Sequence, residues 1–235
     1  MKRKGFRIIA VAGLLIAFCA SLRAGSDGAV PQPGILESTF KRMQSRLESV
    51  EDYQCLYTSF AVKGTRRADT VLRYFYKTPG LIRAEIVDGE NRGTVLLVRE
   101  GQVRVKPPGI FSLLVFHYPS YHPRVTDIRG NRLDETTWEY FVEEHVRNLG
   151  LMTLRSQRRE TLDGRRALVL ETVSEDPLRT RGIAREVLWI RAEDDILLRF
   201  EMYDASGRLI QMSRFTDIVI NSGLPDSLFT RFRKR

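Results

Sequence analysis

The stretch from Asp69 to Lys106, DTVLRYFYKTPGLIRAEIVDGENRGTVLLVREGQVRVK, decides the fold. Branched, aliphatic and aromatic residues gather there in four short runs, 69–77, 80–87, 93–99 and 102–106, which partly alternate with polar residues at a period of two. The dipeptides Asp88-Gly89 and Glu100-Gly101 between runs supply the positive φ that tight hairpin connections need. Consecutive hairpins of this kind make an antiparallel meander, curved, with one wet face and one dry one.

The same texture extends outward in both directions. Runs 53–63, 153–161, 165–174, 183–192, 196–204 and 208–220 read as further strands, with Asp163-Gly164 and Ser206-Gly207 as turns. Two segments have helical spacing instead. Leu36, Phe40, Met43, Leu47 and Val50 form one apolar stripe. Trp138, Phe141, Val142, His145 and Leu149 form another over 135–149, with Asp134 or Thr136 as cap and Glu139 completing a capping box with Thr136. The expectation is a mainly β, α+β fold: a strongly curved antiparallel sheet or incomplete barrel of about ten to eleven strands, covered by two main helices.

Residues 107–125, PPGIFSLLVFHYPSYHPRV, interrupt the meander and are too apolar for an ordinary solvated loop. They read either as core or as a lid over an apolar cavity.

The 235 residues carry 38 Lys and Arg against 29 Asp and Glu, 43% hydrophobic residues and two cysteines. That length fits one substantial domain or at most two small ones. The net charge of +9 is local: Lys2, Arg3, Lys4, Arg7 and Arg23 meet no acid before residue 25, and Arg231, Arg233, Lys234 and Arg235 close the chain. The body between is balanced, which argues against nucleic acid as partner. The basic start followed by the apolar run Ile8–Leu22 has the layout of a secretory signal peptide over residues 1–24. Two other readings stay open, a retained anchor and lipidation of Cys19 within Ile16-Ala17-Phe18-Cys19. Residues 25–34 read as a linker, 35–230 as the domain and 231–235 as a basic tail suited to peripheral contact with an anionic membrane. After cleavage Cys55 is the sole thiol, so no intramolecular disulfide forms.

Specific residues carry a resemblance. Tyr76-Lys77-Thr78-Pro79-Gly80-Leu81-Ile82-Arg83-Ala84-Glu85, the hairpin Val98 to Val103, the paired Leu188-Trp189-Ile190 and Leu197 to Glu201, and the closing Phe215-Thr216-Asp217-Ile218 with Asn221-Ser222-Gly223-Leu224-Pro225-Asp226-Ser227-Leu228-Phe229 resemble the periplasmic lipoprotein carriers of the LolA/LolB-like group. Within that group, Asp52-Tyr53-Gln54-Cys55 and Pro123-Arg124-Val125-Thr126-Asp127-Ile128-Arg129-Gly130 are similar to elements of an uncharacterised bacterial exported family. The resemblance implies an incomplete barrel closed by helices and a periplasmic location in a Gram-negative-type bacterium. It implies no established activity.

Catalytic patterns are missing from the chain: no nucleophile elbow, phosphate-binding loop, His-Glu-x-x-His or Cys-x-x-Cys occurs. His117 and His122 lack a recognised ligand spacing, His145 reads as a satisfied helix-face residue, and Cys55 as a buried inert thiol. No catalytic residue, metal or cofactor is therefore expected. The function that follows is non-enzymatic binding of an apolar ligand, a lipid or the acyl chains of a lipoprotein, in the concave face. Tyr57, Phe75, Phe111, Leu114, Phe116 and Trp138 are the expected lining, Arg83 a polar contact, and 110–118 the lid. The competing reading is an envelope protein-interaction or sensor module of the same fold, bound to a protein partner, with its cavity filled by side chains.

Overall fold

A computed structural model describes residues 34–232; the expected export signal, Cys19, the linker up to residue 33 and residues 233–235 lie outside the described residues. In chain order the elements are α1 (Ile35–Leu47), β1 (Asp52–Lys63), β2 (Arg66–Lys77), β3 (Leu81–Gly89), β4 (Val95–Arg99), β5 (Gln102–Lys106), β6 (Phe116–Pro119), α2 (Trp138–Arg147), β7 (Thr153–Leu162), β8 (Arg165–Val173), β9 (Arg185–Arg191), β10 (Leu197–Tyr203), β11 (Leu209–Ile220) and α3 (Ser227–Thr230). All eleven strands form one antiparallel sheet in the order β6-β5-β4-β3-β2-β1-β11-β10-β9-β8-β7. The sheet is mainly a chain of hairpins, with one long-range seam where β1 meets β11. It curves without closing, so the expected incomplete barrel is what the chain forms.

Two details differ from the sequence reading. Strand β6 arises inside the apolar insertion, where four residues are too few to show a period. Helix α2 starts at Trp138, later than expected, because Leu133–Thr136 forms a 3₁₀ turn of its own. Thr137 is the cap: its Oγ1 accepts the Tyr140 backbone N–H at 3.1 Å. Thr136 turns its hydroxyl back to the Leu133 carbonyl at 2.7 Å, so it cannot serve that role.

Register fixes what each strand offers to each face, because side chains alternate. Tyr53, Cys55 and Tyr57 stand opposite Tyr76, Tyr74 and Leu72, and all six point to the concave side under the helices. From α1 come Phe40 and Met43 and from α2 Trp138, Phe141 and Val142 to meet them. The convex side of the same strands is also covered. After β11 the chain crosses it, packing Leu224, Leu228 and Phe229 onto Phe75.

That crossing is tied down at Asp52 and Asn221. The Asp52 carboxylate accepts the backbone N–H groups of Ser222 at 2.8 Å and of Gly223 and Leu224 at 3.0 Å. Burial alone would raise its pKa, but the donors from Leu224, Ser222 and Gly223 outweigh it and hold the carboxyl below its ordinary value. Asn221 accepts from Glu51 N and donates to Ser49 O, both at 2.8 Å, joining the end of α1 to the end of the sheet.

Candidate functional site

One half of the concave face is filled and the other is open. The filling is a stack of rings: Trp138 lies 4.0 Å from Tyr53 between centroids, Tyr53 lies 4.9 Å from Tyr76, and Phe215 meets Trp138 edge-on at 5.6 Å. Toward the β1–β2 hairpin the concave residues become small. Ser59, Ala61, Ala68 and Thr70 replace the tyrosines there, with Ser59 opposite Thr70 and Ala61 opposite Ala68, and Ala84 on β3 is the small partner of Tyr74. Where facing positions are small, the sheet stands off from α1 and α2, whose Leu36, Phe40, Tyr140 and Phe141 line the space between. A cavity of about 420 Å³ remains, bounded on the sheet side also by Leu72, Ile86, Leu96, Leu188, Leu197, Phe200 and Met202.

The far wall is the segment between β6 and α2 together with the loop between β8 and β9. Asp127 shapes the first: its carboxylate accepts Arg129 N and Asn131 N, both at 2.8 Å, and Asn131 Nδ2 at 2.7 Å. Gly130 follows at φ 91°, a value that side-chain-bearing residues rarely adopt. The turn brings Arg129 to the cavity rim, where its guanidinium donates to the carbonyls of Val62 and Arg181, while Arg181 donates to Asn131 Oδ1 at 3.0 Å. Burial, and Arg181 beside it, lower the pKa of Arg129 against the opposing pull of Asp127.

A polar pair sits in the otherwise apolar wall. His145 on α2 donates through Nδ1 to the Phe141 carbonyl at 2.7 Å, and its Nε2 lies 2.8 Å from Glu186 Oε2 on β9. Desolvation pulls the imidazole pKa down, but the Glu186 carboxylate with its hydrogen bond prevails and raises it. Glu186 Oε1 and the hydroxyl of Thr172, its register partner on β8, are buried without a hydrogen-bond partner among the described residues.

The seven residues expected to line a site do not gather. Tyr57 lines the cavity and holds Ser213 Oγ at 2.8 Å through its hydroxyl. Trp138 belongs to the ring stack that fills the other half. Phe75 and Arg83 are register partners on the convex side, and Arg83 donates to the carbonyls of Leu228 at 3.1 Å and Arg231 at 2.7 Å and to Glu85 at 2.7 Å. Phe111, Leu114 and Phe116 stand exposed at the β5–β6 edge, outside the cavity; of residues 110–118 Tyr118 packs against the core, and none borders the cavity. The alanines are what sequence reasoning missed. Small residues recurring at the inward parity of neighbouring strands were the available signal.

No His, Cys, Asp and Glu cluster suited to a metal occurs among the described residues. Cys55 is buried, and desolvation with Asp217 nearby pushes its thiol far above the ordinary value, against thiolate chemistry.

No protein-family model and no curated protein matches the chain. Solved structures do. An uncharacterized conserved protein from Thermus thermophilus aligns over 84% of this chain and 94% of its own at 15% identity, TM-score 0.52. The Mycobacterium tuberculosis lipoprotein LppX aligns over 83% and 99% at 11% identity, TM-score 0.51. A LolA superfamily protein from Nitrosomonas europaea aligns over 83% and 97% at 16% identity, with a TM-score of only 0.38. The fold is the one that LppX and the Thermus protein share. At these identities the likeness is one of fold. The shared fold supplies the curved sheet, and this chain's own small residues line the cavity.

Proposed function

We propose that the protein is an exported, cell-envelope binding protein that holds an apolar ligand, a lipid or an acyl chain of a lipoprotein, without chemical turnover. The observation that carries this reading is the open cavity of about 420 Å³ between the sheet and the 124–136 segment. Its size falls in the range of about 300–1,000 Å³ typical of small-molecule sites. Each methylene moved into it from water contributes about 0.8 kcal/mol, so one acyl chain supplies a large driving force without polar chemistry. Arg129, Asn131 and Arg181 at the rim are the groups placed to meet a polar head. The periplasmic location rests on the N-terminal sequence. The competing reading, a protein-interaction module with its cavity filled by side chains, draws on the ring stack in the other half of the concave face, and the open half favours the ligand.

The test is direct. Organic extracts of gently purified protein are examined by mass spectrometry, and a fluorescent acyl probe is titrated into delipidated protein. Co-purifying lipid or saturable probe binding supports the reading; the absence of both sinks it.

A further inference from the structure

Among the described residues, the largest group of exposed apolar side chains lies on the tip between β5 and β6. Ile110 and Leu113 are 87% and 93% exposed, Tyr121 is 73% exposed, and Phe111, Leu114 and Phe116 stand open beside them. Large apolar side chains grouped in this way mark an interaction surface. Residues 101–126 contain no acid, while Arg104, Lys106 and Arg124 flank the apolar residues. The 3₁₀ turn Gly109–Leu113 presents the tip on a built support. Pro108 seats against Gly93 so closely that a Cβ there would lie 3.0 Å from the Pro108 side chain. Phe232, the last described residue, packs at the base of the same turn, with the Arg104 guanidinium 5.1 Å and the Lys106 ammonium 6.0 Å from its ring. The sequence that follows is Arg233-Lys234-Arg235.

Register places this tip relative to the cavity. Lys106 pairs with Val95, Val95 with Glu85, Thr70 with Gly89 and Lys63 with Arg66, so the tip shares one end of the sheet with the hairpins after β1 and β3. Ala61, Ala68, Asn91 and Gln211, which border the cavity, lie at that end too.

We propose that the β5–β6 tip inserts into the headgroup region of an anionic lipid bilayer, with Ile110, Phe111, Leu113 and Leu114 as the apolar wedge and Arg104 and Lys106 as its collar. The chemistry matches: apolar and aromatic side chains enter the acyl boundary, and cations near an anionic surface are drawn to it. Asp88 and Glu90 on the neighbouring β3–β4 hairpin reduce the net attraction, so both wedge and collar are needed. Insertion here would bring the cavity mouth to the bilayer. The proposal stands whether or not the cavity holds a lipid.

The test uses the full chain carrying Leu113→Trp, since the native Trp138 and Trp189 are buried. On adding vesicles of phosphatidylcholine with phosphatidylglycerol, the introduced indole should shift to the blue and be quenched by phospholipids brominated on their acyl chains. Vesicles of phosphatidylcholine alone should give a clearly smaller response. In the Ile110→Asp/Leu113→Asp double variant, whose fold is checked by circular dichroism, the vesicle affinity measured with an indole at position 114 should fall at least about tenfold. An indole that keeps its water-exposed emission while the protein sediments with vesicles overturns the proposal, because another segment then makes the contact. Concentration-dependent self-association that disappears in the double variant, without vesicle insertion, overturns it in favour of a second copy of the chain.

Discussion

At the scale of single residues, burial and function separate most clearly at Arg83 and Glu139. Arg83 is buried and charged, the combination that suggests a ligand contact. Its guanidinium instead ties β3 to the C-terminal segment and to Glu85. Arg83→Ala leaves the Leu228 and Arg231 carbonyls without their donor, while Glu85 keeps Arg73 at 3.2 Å, and should destabilise the fold by roughly 1–3 kcal/mol in urea unfolding. Acyl-probe affinity, measured well below the transition, should stay unchanged. Glu139 on α2 is pushed up to about 7 by burial, with Glu143 adding to the effect, against the opposing bonds from its own backbone N–H and the Tyr76 hydroxyl. Its native carboxyl holds a proton more tightly than the unfolded one, so its unfavourable contribution is absent below the ordinary 4.5 and grows as pH rises through about 7. Glu139→Gln should therefore stabilise the protein at pH 8 by roughly 2–3 kcal/mol and have little effect at pH 4. His145 slopes the same way. Its raised pKa gives stability that is full below the ordinary 6.5 and is lost as pH rises through the folded value, so a smaller slope near neutrality should survive in the variant.

At the scale of elements, the strands were legible and their sidedness was not. Hairpin signals located the meander because Asp-Gly and Glu-Gly pairs fall where positive φ is required; Gly89, Glu100, Gly101, Asp163 and Gly164 all adopt it. Sidedness failed around Phe75 because the C-terminal segment covers the convex face. Tyr74, Phe75 and Tyr76 are then all buried, and alternation no longer tells inside from outside. The insertion misled for the opposite reason at its tip, where apolar residues from Ile110 to Phe116 are not buried, although Val125 does join the core and Tyr118 packs against it. The two free edges of the sheet are handled differently. β6 has only four residues and ends at Pro119, whereas β7 carries Arg155, Arg158, Arg159 and Glu160 along an edge of ten residues. Short, proline-ended or charged edges resist pairing with other chains. The cavity belongs to this scale, since it follows from small residues on adjoining strands. Ala68→Trp should fill the space opposite Ala61 and abolish acyl-probe binding, with unfolding free energy changed by no more than about 1 kcal/mol because the site is open. A retained wild-type affinity would place the probe elsewhere.

At the scale of the whole molecule, the class of fold could be read from residues 69–106 alone, because each hairpin is a local event. The β1–β11 seam could not, since no local pattern says that the first strand pairs with the last. The seam rests on the register Tyr53↔Ile220 through Ala61↔Gln211 and on the Asp52 and Asn221 clamps beside it. Removing residues 209–232 should leave β1, twelve residues long, with a bare inner edge. Such a chain should sediment as aggregates and show no cooperative unfolding transition. The seam also sets an order in time. A chain delivered from its N-terminus can complete the β1–β6 wing and then the β7–β10 wing as they emerge, but the free edge of β1 must wait for β11 before the two wings become one sheet. Until its final strand arrives, the protein has two hairpin stacks and an unmet partner between them, which makes that interval the one in which a chaperone or a protease would act on it.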